Sequence, residues 1–187
     1  FHAAEGYLAT IATPVSEIFS LKSIELIGRS LAKAVKNGND LEARSEVALA
    51  STLAGLVEST SSCISEHSLA HAVSALFPNV EHGAALTCIS LAWFASFVDV
   101  VPERYMRMAE ALTGQKSTSP ADFFAALADL QAACGIDNIA LSEYGVTEED
   151  LSRLVRNARE TMGGLFGMDP RPLSDDEVLE IYRKSYK

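Results

Sequence analysis

The sequence has 187 residues, 48% of them apolar and 21% charged, which suits one folded domain with a real core and is too apolar for a disordered chain. Its formal net charge of −10 argues against nucleic acid and against anionic membrane surfaces as partners, because both are bound through clustered Lys and Arg. Cys63, Cys88 and Cys134 are odd in number and widely spaced without a CxxC pair. They read as reduced thiols filling small core positions in a cytoplasmic protein.

Helical signals run along almost the whole chain. Pro14 opens a segment with Val15, Ile18, Phe19, Ile24, Ile27, Leu31 and Val35 at steps of three and four, which predicts one apolar helix face. Residues 37–40 (Asn-Gly-Asn-Asp) end that helix and cap the next, over 41–58, marked by Val47, Leu49, Leu53, Leu56 and Val57. The serine-rich 59–62 is a predicted break. A further helix is expected over about 63–77, interrupted at Pro78. The longest apolar run, Ala84–Val101, predicts a helix from near His82 to just before Pro102. It contains Thr, Ser and Asp and only marginally reaches bilayer-spanning length, so a helix buried in a bundle is favoured over a membrane span. The next helix is expected over 102–112, with Pro102 in its first turn. Another runs from Ser119 and Pro120 to Gly135. Thr147 and Asp150 resemble a capping box for a helix reaching Met162. Residues 163–174 read as an irregular loop, with Gly163 and Gly164 as C-cap glycines, and Ser174 caps a last helix. Apolar alternation never persists, and Asn37-Gly38 lies between helical patterns, so no strand is expected. The fold class is therefore all-α, a bundle of eight or nine helices in a single domain over 1–187.

Three of the four histidines, His67, His71 and His82, fall within sixteen residues. His67 and His71 are four apart and share a helix face, a spacing that can bring two imidazoles to one metal ion. The residues between them are Ser68, Leu69 and Ala70, so the general-base Glu of a metalloprotease motif is missing, and Glu66 points away around the helix. His82 opens the following helix and can approach the same face. The competing reading is three partly buried histidines, each hydrogen-bonded to a carbonyl or carboxylate. Three together on a histidine-poor chain place a metal site ahead of that reading. Spacing alone leaves open which metal is bound, and which of His67 and His71 binds it.

Four segments, in order along the whole chain, resemble iron-containing (group III) alcohol dehydrogenases of the dehydroquinate synthase-like superfamily. Residues 66–86 (EHSLAHAVSALFPNVEHGAAL) are similar to the family's H-x-x-x-H…H-G signature. Residues 1–10 (FHAAEGYLAT) resemble the segment in which a metal-binding His precedes Glu-Gly-Tyr. Residues 37–55 (NGNDLEARSEVALASTLAG) resemble the Asp-x-x-Ala-Arg helix, and 167–186 (GMDPRPLSDDEVLEIYRKSY) the Asn-Pro-Arg tail. Asp169 stands where the family has Asn, Ala72 where many members have Pro, and the His71–His82 gap is one residue longer than in many members.

The resemblance implies the helical half of a two-domain enzyme. An N-terminal α/β domain that binds NAD or NADP would be its partner and is absent from this chain, in which no G-x-G-x-x-G loop occurs. A chain opening on Phe1 rather than Met, with no basic n-region, reads as a piece of a longer protein without a secretory leader. By residue match, His2, His67 and His82 are implied as ligands of a divalent metal, Fe²⁺ or Zn²⁺. A fourth ligand, an Asp, would lie four residues before His2. His71 matches a histidine beside the substrate and the nicotinamide, so the resemblance removes it from the metal. The implied substrate is a small alcohol or aldehyde, and the implied assembly a homodimer or higher oligomer. The apolar face that the partner domain would cover is expected to be exposed. A glycerol-1-phosphate or other polyol dehydrogenase, a dehydroquinate synthase-like reaction and a non-catalytic helical interaction module are the alternatives. The phosphate-binding ones want clustered Arg or Lys, which are lacking around residues 67–82.

Overall fold

Caps and apolar spacing fold the chain into nine α-helices with no strand: α1 (His2–Leu8), α2 (Pro14–Lys36), α3 (Leu41–Ser61), α4 (Ser65–Leu76), α5 (His82–Ala95), α6 (Pro102–Thr113), α7 (Ala121–Cys134), α8 (Leu151–Met162) and α9 (Asp175–Ser185). A computed structural model describes residues 1–187, which form two compact units. The first comprises 1–63 and 98–137, the second 64–97 and 138–187. The all-α expectation of eight or nine helices holds.

In the first unit α2 packs against α3 and α6, and α6 against α7. The expected apolar face of α2 is buried only in part: Ile24 is buried, and Phe19, Ile27 and Leu31 are half-buried. Val15, Ile18 and Val35 are exposed, whereas Ser16, Ser20, Ser23, Ser30 and Ala34 are buried with Ile24 and Leu26. Small side chains at helical spacing let α3 approach closely, and α3 answers with buried Ala43, Ala50 and Val57 at intervals of seven. The Ser23 hydroxyl donates to the Ala50 carbonyl at 2.8 Å, satisfying a polar group that burial would otherwise penalise. Leu49 and Leu56, expected in the core, are exposed for the same reason.

The predicted break at 59–62 also moves. Helix α3 continues to Ser61 because Ser59, Thr60 and Ser61 turn their hydroxyls back onto the carbonyls of Gly55, Leu56 and Val57 at 2.9, 2.7 and 3.1 Å. Ser62 ends it at φ 63, the one non-glycine residue with positive φ. Helix α1 was not foreseen. It lies against α3 at Gly6, where a Cβ would stand 2.3 Å from Val57 Cγ1. Arg104 of α6 fixes its end by donating to the Tyr7 carbonyl at 2.6 Å, with its guanidinium 4.8 Å above the Tyr7 ring. The expected Ser119 start of α7 shifts to Ala121. There Asp122 accepts from the Thr118 and Ser119 amides at 2.8 and 3.1 Å and from the Ser117 hydroxyl at 2.8 Å.

In the second unit α4 packs on α5 and α8, and α9 on α5 and α8. The Ser68 hydroxyl donates to Ala158 of α8 and the Tyr182 hydroxyl to Leu69, both at 2.9 Å. Helix α5 stops at Ala95, short of the apolar run's end, where Ser96 and Phe97 turn their amides onto Trp93 and Phe94. No single helix is long and apolar enough to cross a membrane. The Thr147–Asp150 and Ser174–Glu177 capping boxes both form. Residues 163–168, expected as irregular loop, make a 3-10 helix. Gly163 is right-handed (φ −58, ψ −23), not a left-handed C-cap; that role falls to Gly114 and Gly135.

Candidate functional site

The second unit brings three imidazoles together. His67 and His71 stand one turn apart on α4, and His82 is the first residue of α5. Ring centroids are 5.2 Å apart for His67–His82, 4.9 Å for His71–His82 and 6.3 Å for His67–His71. Two imidazoles that share a tetrahedral ion at ordinary metal–nitrogen distances have ring centres about 5 Å apart. Both pairs that include His82 meet that separation, and the H-x-x-x-H pair that spacing alone suggests is the widest. The donor set, neutral imidazole nitrogens on two packed helices, suits a borderline divalent ion such as Zn²⁺ or Fe²⁺. The cluster is also graded in exposure. His67 is 1% exposed, whereas His71 and His82 are open to solvent. An ion held here would have a dry inner side and an accessible outer side.

His2 lies in the first unit, at the start of α1, with Nε2 3.6 Å from a Glu58 carboxylate oxygen of α3. Glu5, one turn along α1, is fully buried. Composition gave no sign of this acidic setting. The signals available were only the i, i+3 spacing of His2 and Glu5 and the family segment that contains both. Cys63, at the end of the first unit, is buried as expected, and Cys88 and Cys134 are only half-buried. Burial pushes the Cys63 thiol up to about 12, with the negative charges of Glu5 and Glu58 adding to the effect. Burial likewise raises Cys88, to about 11, with Glu143 contributing.

A thiol raised in the folded state is neutral there. Its contribution to stability is complete below the ordinary thiol value and is lost as pH climbs through the folded one. Alkylation of the native protein at neutral pH should therefore modify Cys134 first and Cys63 last, as read by peptide mass mapping. Equal labelling of all three would contradict this account of Cys63.

A family model described as Fe-containing alcohol dehydrogenase family, C-terminal, matches residues 1–186. The chain is 32% identical over 191 residues to the 1,3-propanediol dehydrogenase of Citrobacter freundii, covering 99% of this chain and 48% of that protein. It is 30% identical over 190 residues to the NAD-dependent methanol dehydrogenase of Bacillus methanolicus, covering 98% and 49%. Among solved structures, an archaeal halo-thermophilic alcohol dehydrogenase from a Red Sea brine pool superposes with a TM-score of 0.93 at 32% identity, over 98% of this chain and 48% of that one. The chain spans about half the length of the curated relatives it matches.

Proposed function

The chain belongs to the iron-containing alcohol dehydrogenase family, and from that premise we propose that it is the metal-binding half of an NAD(P)-dependent alcohol dehydrogenase. The reaction interconverts a small alcohol and its aldehyde or ketone. Hydride passes between the carbinol carbon and nicotinamide C4, and the hydroxyl proton passes to a base as the carbon–oxygen double bond forms. The observation that carries this reading is the triangle of imidazoles on α4 and α5, in a chain whose relatives include an NAD-dependent methanol dehydrogenase and a 1,3-propanediol dehydrogenase.

His67 and His82 would hold the divalent ion, Fe²⁺ or Zn²⁺, with His2 as a third ligand carried over from the resemblance. Bound there, the ion supplies Lewis-acid polarisation of the substrate oxygen. Buried His67 anchors the inner side, on a helix that the neighbouring Ser68 ties to α8. Exposed His71, 4.9 Å from the His82 ring, stands on the solvent side. There it orients the alcohol and exchanges the hydroxyl proton, as an imidazole can do near neutral pH. The nicotinamide cofactor is bound mainly by the half of the protein outside these 187 residues.

The test is a spectrophotometric assay of the full-length protein with NAD and with NADP, across primary alcohols and diols. Turnover that a chelator removes and added Fe²⁺ or Zn²⁺ restores is expected. Metal-loaded protein that reduces neither cofactor with any alcohol would sink the reading.

A further inference from the structure

Helix α4 carries two of the three clustered histidines, yet it begins without a local cap. Ile64 occupies the N-cap position and offers no side-chain oxygen. The oxygen comes from far along the chain. Asp169 Oδ1 accepts the Ser65 amide hydrogen at 3.1 Å across 104 residues of sequence. Asp169 is 5% exposed and Ser65 fully buried, so the bond is made in a dry setting. A carboxylate at the start of a helix is also favoured by the helix dipole.

The same serine binds α5. The Trp93 indole N–H donates to Ser65 Oγ at 2.7 Å, and Trp93 is fully buried, with Phe94 and Phe97 each 5.0 Å away centroid to centroid. The segment that presents Asp169 is held at the far end of α5 as well. Arg171 donates to the Ser96 carbonyl at 3.1 Å, pairs with Glu177 at 2.8 Å and places its guanidinium 5.8 Å from the Phe97 ring. One short stretch, 169–171, thus grips the first residue of α4 and the residue that ends α5. These are the two helices whose side chains form the imidazole cluster. His67 lies two residues beyond Ser65.

We propose that the buried chain Asp169–Ser65–Trp93 is the positioning device of the histidine cluster, setting α4 against α5 so that His67 and His82 meet. In this role the three act through the helices, as outer-shell groups do in metal sites. The proposal rests on the metal reading above for its purpose, but its geometry does not need a metal.

The test uses the full-length protein, metal-free, with isotope-labelled histidine. Wild type should show cross-relaxation between the His67 and His82 rings. Asp169→Ala should remove it and move both sets of ring resonances, and Asp169→Asn, which keeps an oxygen to accept the Ser65 amide, should restore them. Titration with Co²⁺ alone should then find Asp169→Ala weakened about tenfold, with altered ligand-field bands, and Asp169→Asn close to wild type. Trp93→Phe, which keeps the aromatic volume and loses only the donor, should shift the same resonances if Asp169→Ala fails to fold. Wild-type ring resonances and contacts in Asp169→Ala, or in Trp93→Phe where that variant stands in, would overturn the proposal. Failure of wild type to bind Co²⁺ would instead strike the metal reading and leave the ring contacts to decide this one.

Discussion

Gly28→Ala should destabilise the protein by about 3 kcal/mol, despite the roughly 1 kcal/mol that Ala ordinarily gains over Gly inside a helix. Gly28 lies in the middle of α2, and a Cβ built on it stands 1.9 Å from the Leu112 carbonyl oxygen and 2.8 Å from the Leu112 carbonyl carbon. Those are backbone atoms of α6, so relief requires helix displacement, not a side-chain rotation. Displacement would open the contact that α2 makes with α6 and strain the Ser23–Ala50 bond on its other side. Gly6→Ala is the informative control. Its nearest obstacle is the Val57 side chain at 2.3 Å, with the Ser62 carbonyl at 3.0 Å, so more of its clash can be relieved by rotation and its penalty should be the smaller. Denaturant midpoints measured on both variants decide the matter. A Gly28→Ala protein as stable as wild type would mean that α2 and α6 are not held at this separation.

The second large effect is a division of labour within the cluster. His67→Ala and His82→Ala should each empty the metal site and abolish turnover. His71→Ala should keep its metal and lose about 10²- to 10⁴-fold in kcat, the range of a missing general acid–base group. The geometry favours this split. His67–His82 and His71–His82 are both at the separation expected of rings sharing one ion, whereas His67–His71 is more than 1 Å wider, so His82 shares an ion with one of the two α4 histidines and exposure chooses between them. His71 is also exposed, as a residue serving substrate should be, and His67 is not. Metal content by elemental analysis, with turnover on the same samples, separates the two classes. Metal loss in His71→Ala with metal retained in His67→Ala would reverse the assignment.

The helices and the histidine cluster were legible because local signals carry them. Asp40, Thr147 and Ser174 mark helix starts through side-chain bonds made within three residues, Pro14 and Pro102 through the fixed φ that suits a first turn, and the structure places helices or their leading turns at each. The spacing of His67 and His71, with His82 after a short turn, likewise needed only helix geometry. What could not be read is what depends on partners. The buried face of α2 is its serine face, since closeness to α3 outweighs hydrophobicity there, and no periodicity of α2 alone reports the helix beside it. Helix α1 is seven residues long, too short for an apolar period to show, and is helical chiefly because it is buried. The cap of α4 lies 104 residues away. Asp169 was visible only as a departure from the family's Asn, with nothing in the sequence to tie it to Ser65.

The central claim is that His67 and His82 bind one divalent ion, and X-ray diffraction from metal-loaded crystals of the full-length protein, at wavelengths on either side of the iron and zinc absorption edges, tests it most directly. A single anomalous peak within bonding distance of one nitrogen of His67 and one of His82, with the His71 ring outside bonding distance, is the predicted result. An anomalous peak bound by His67 and His71 without His82, or no peak at the cluster in metal-loaded crystals, would contradict the account.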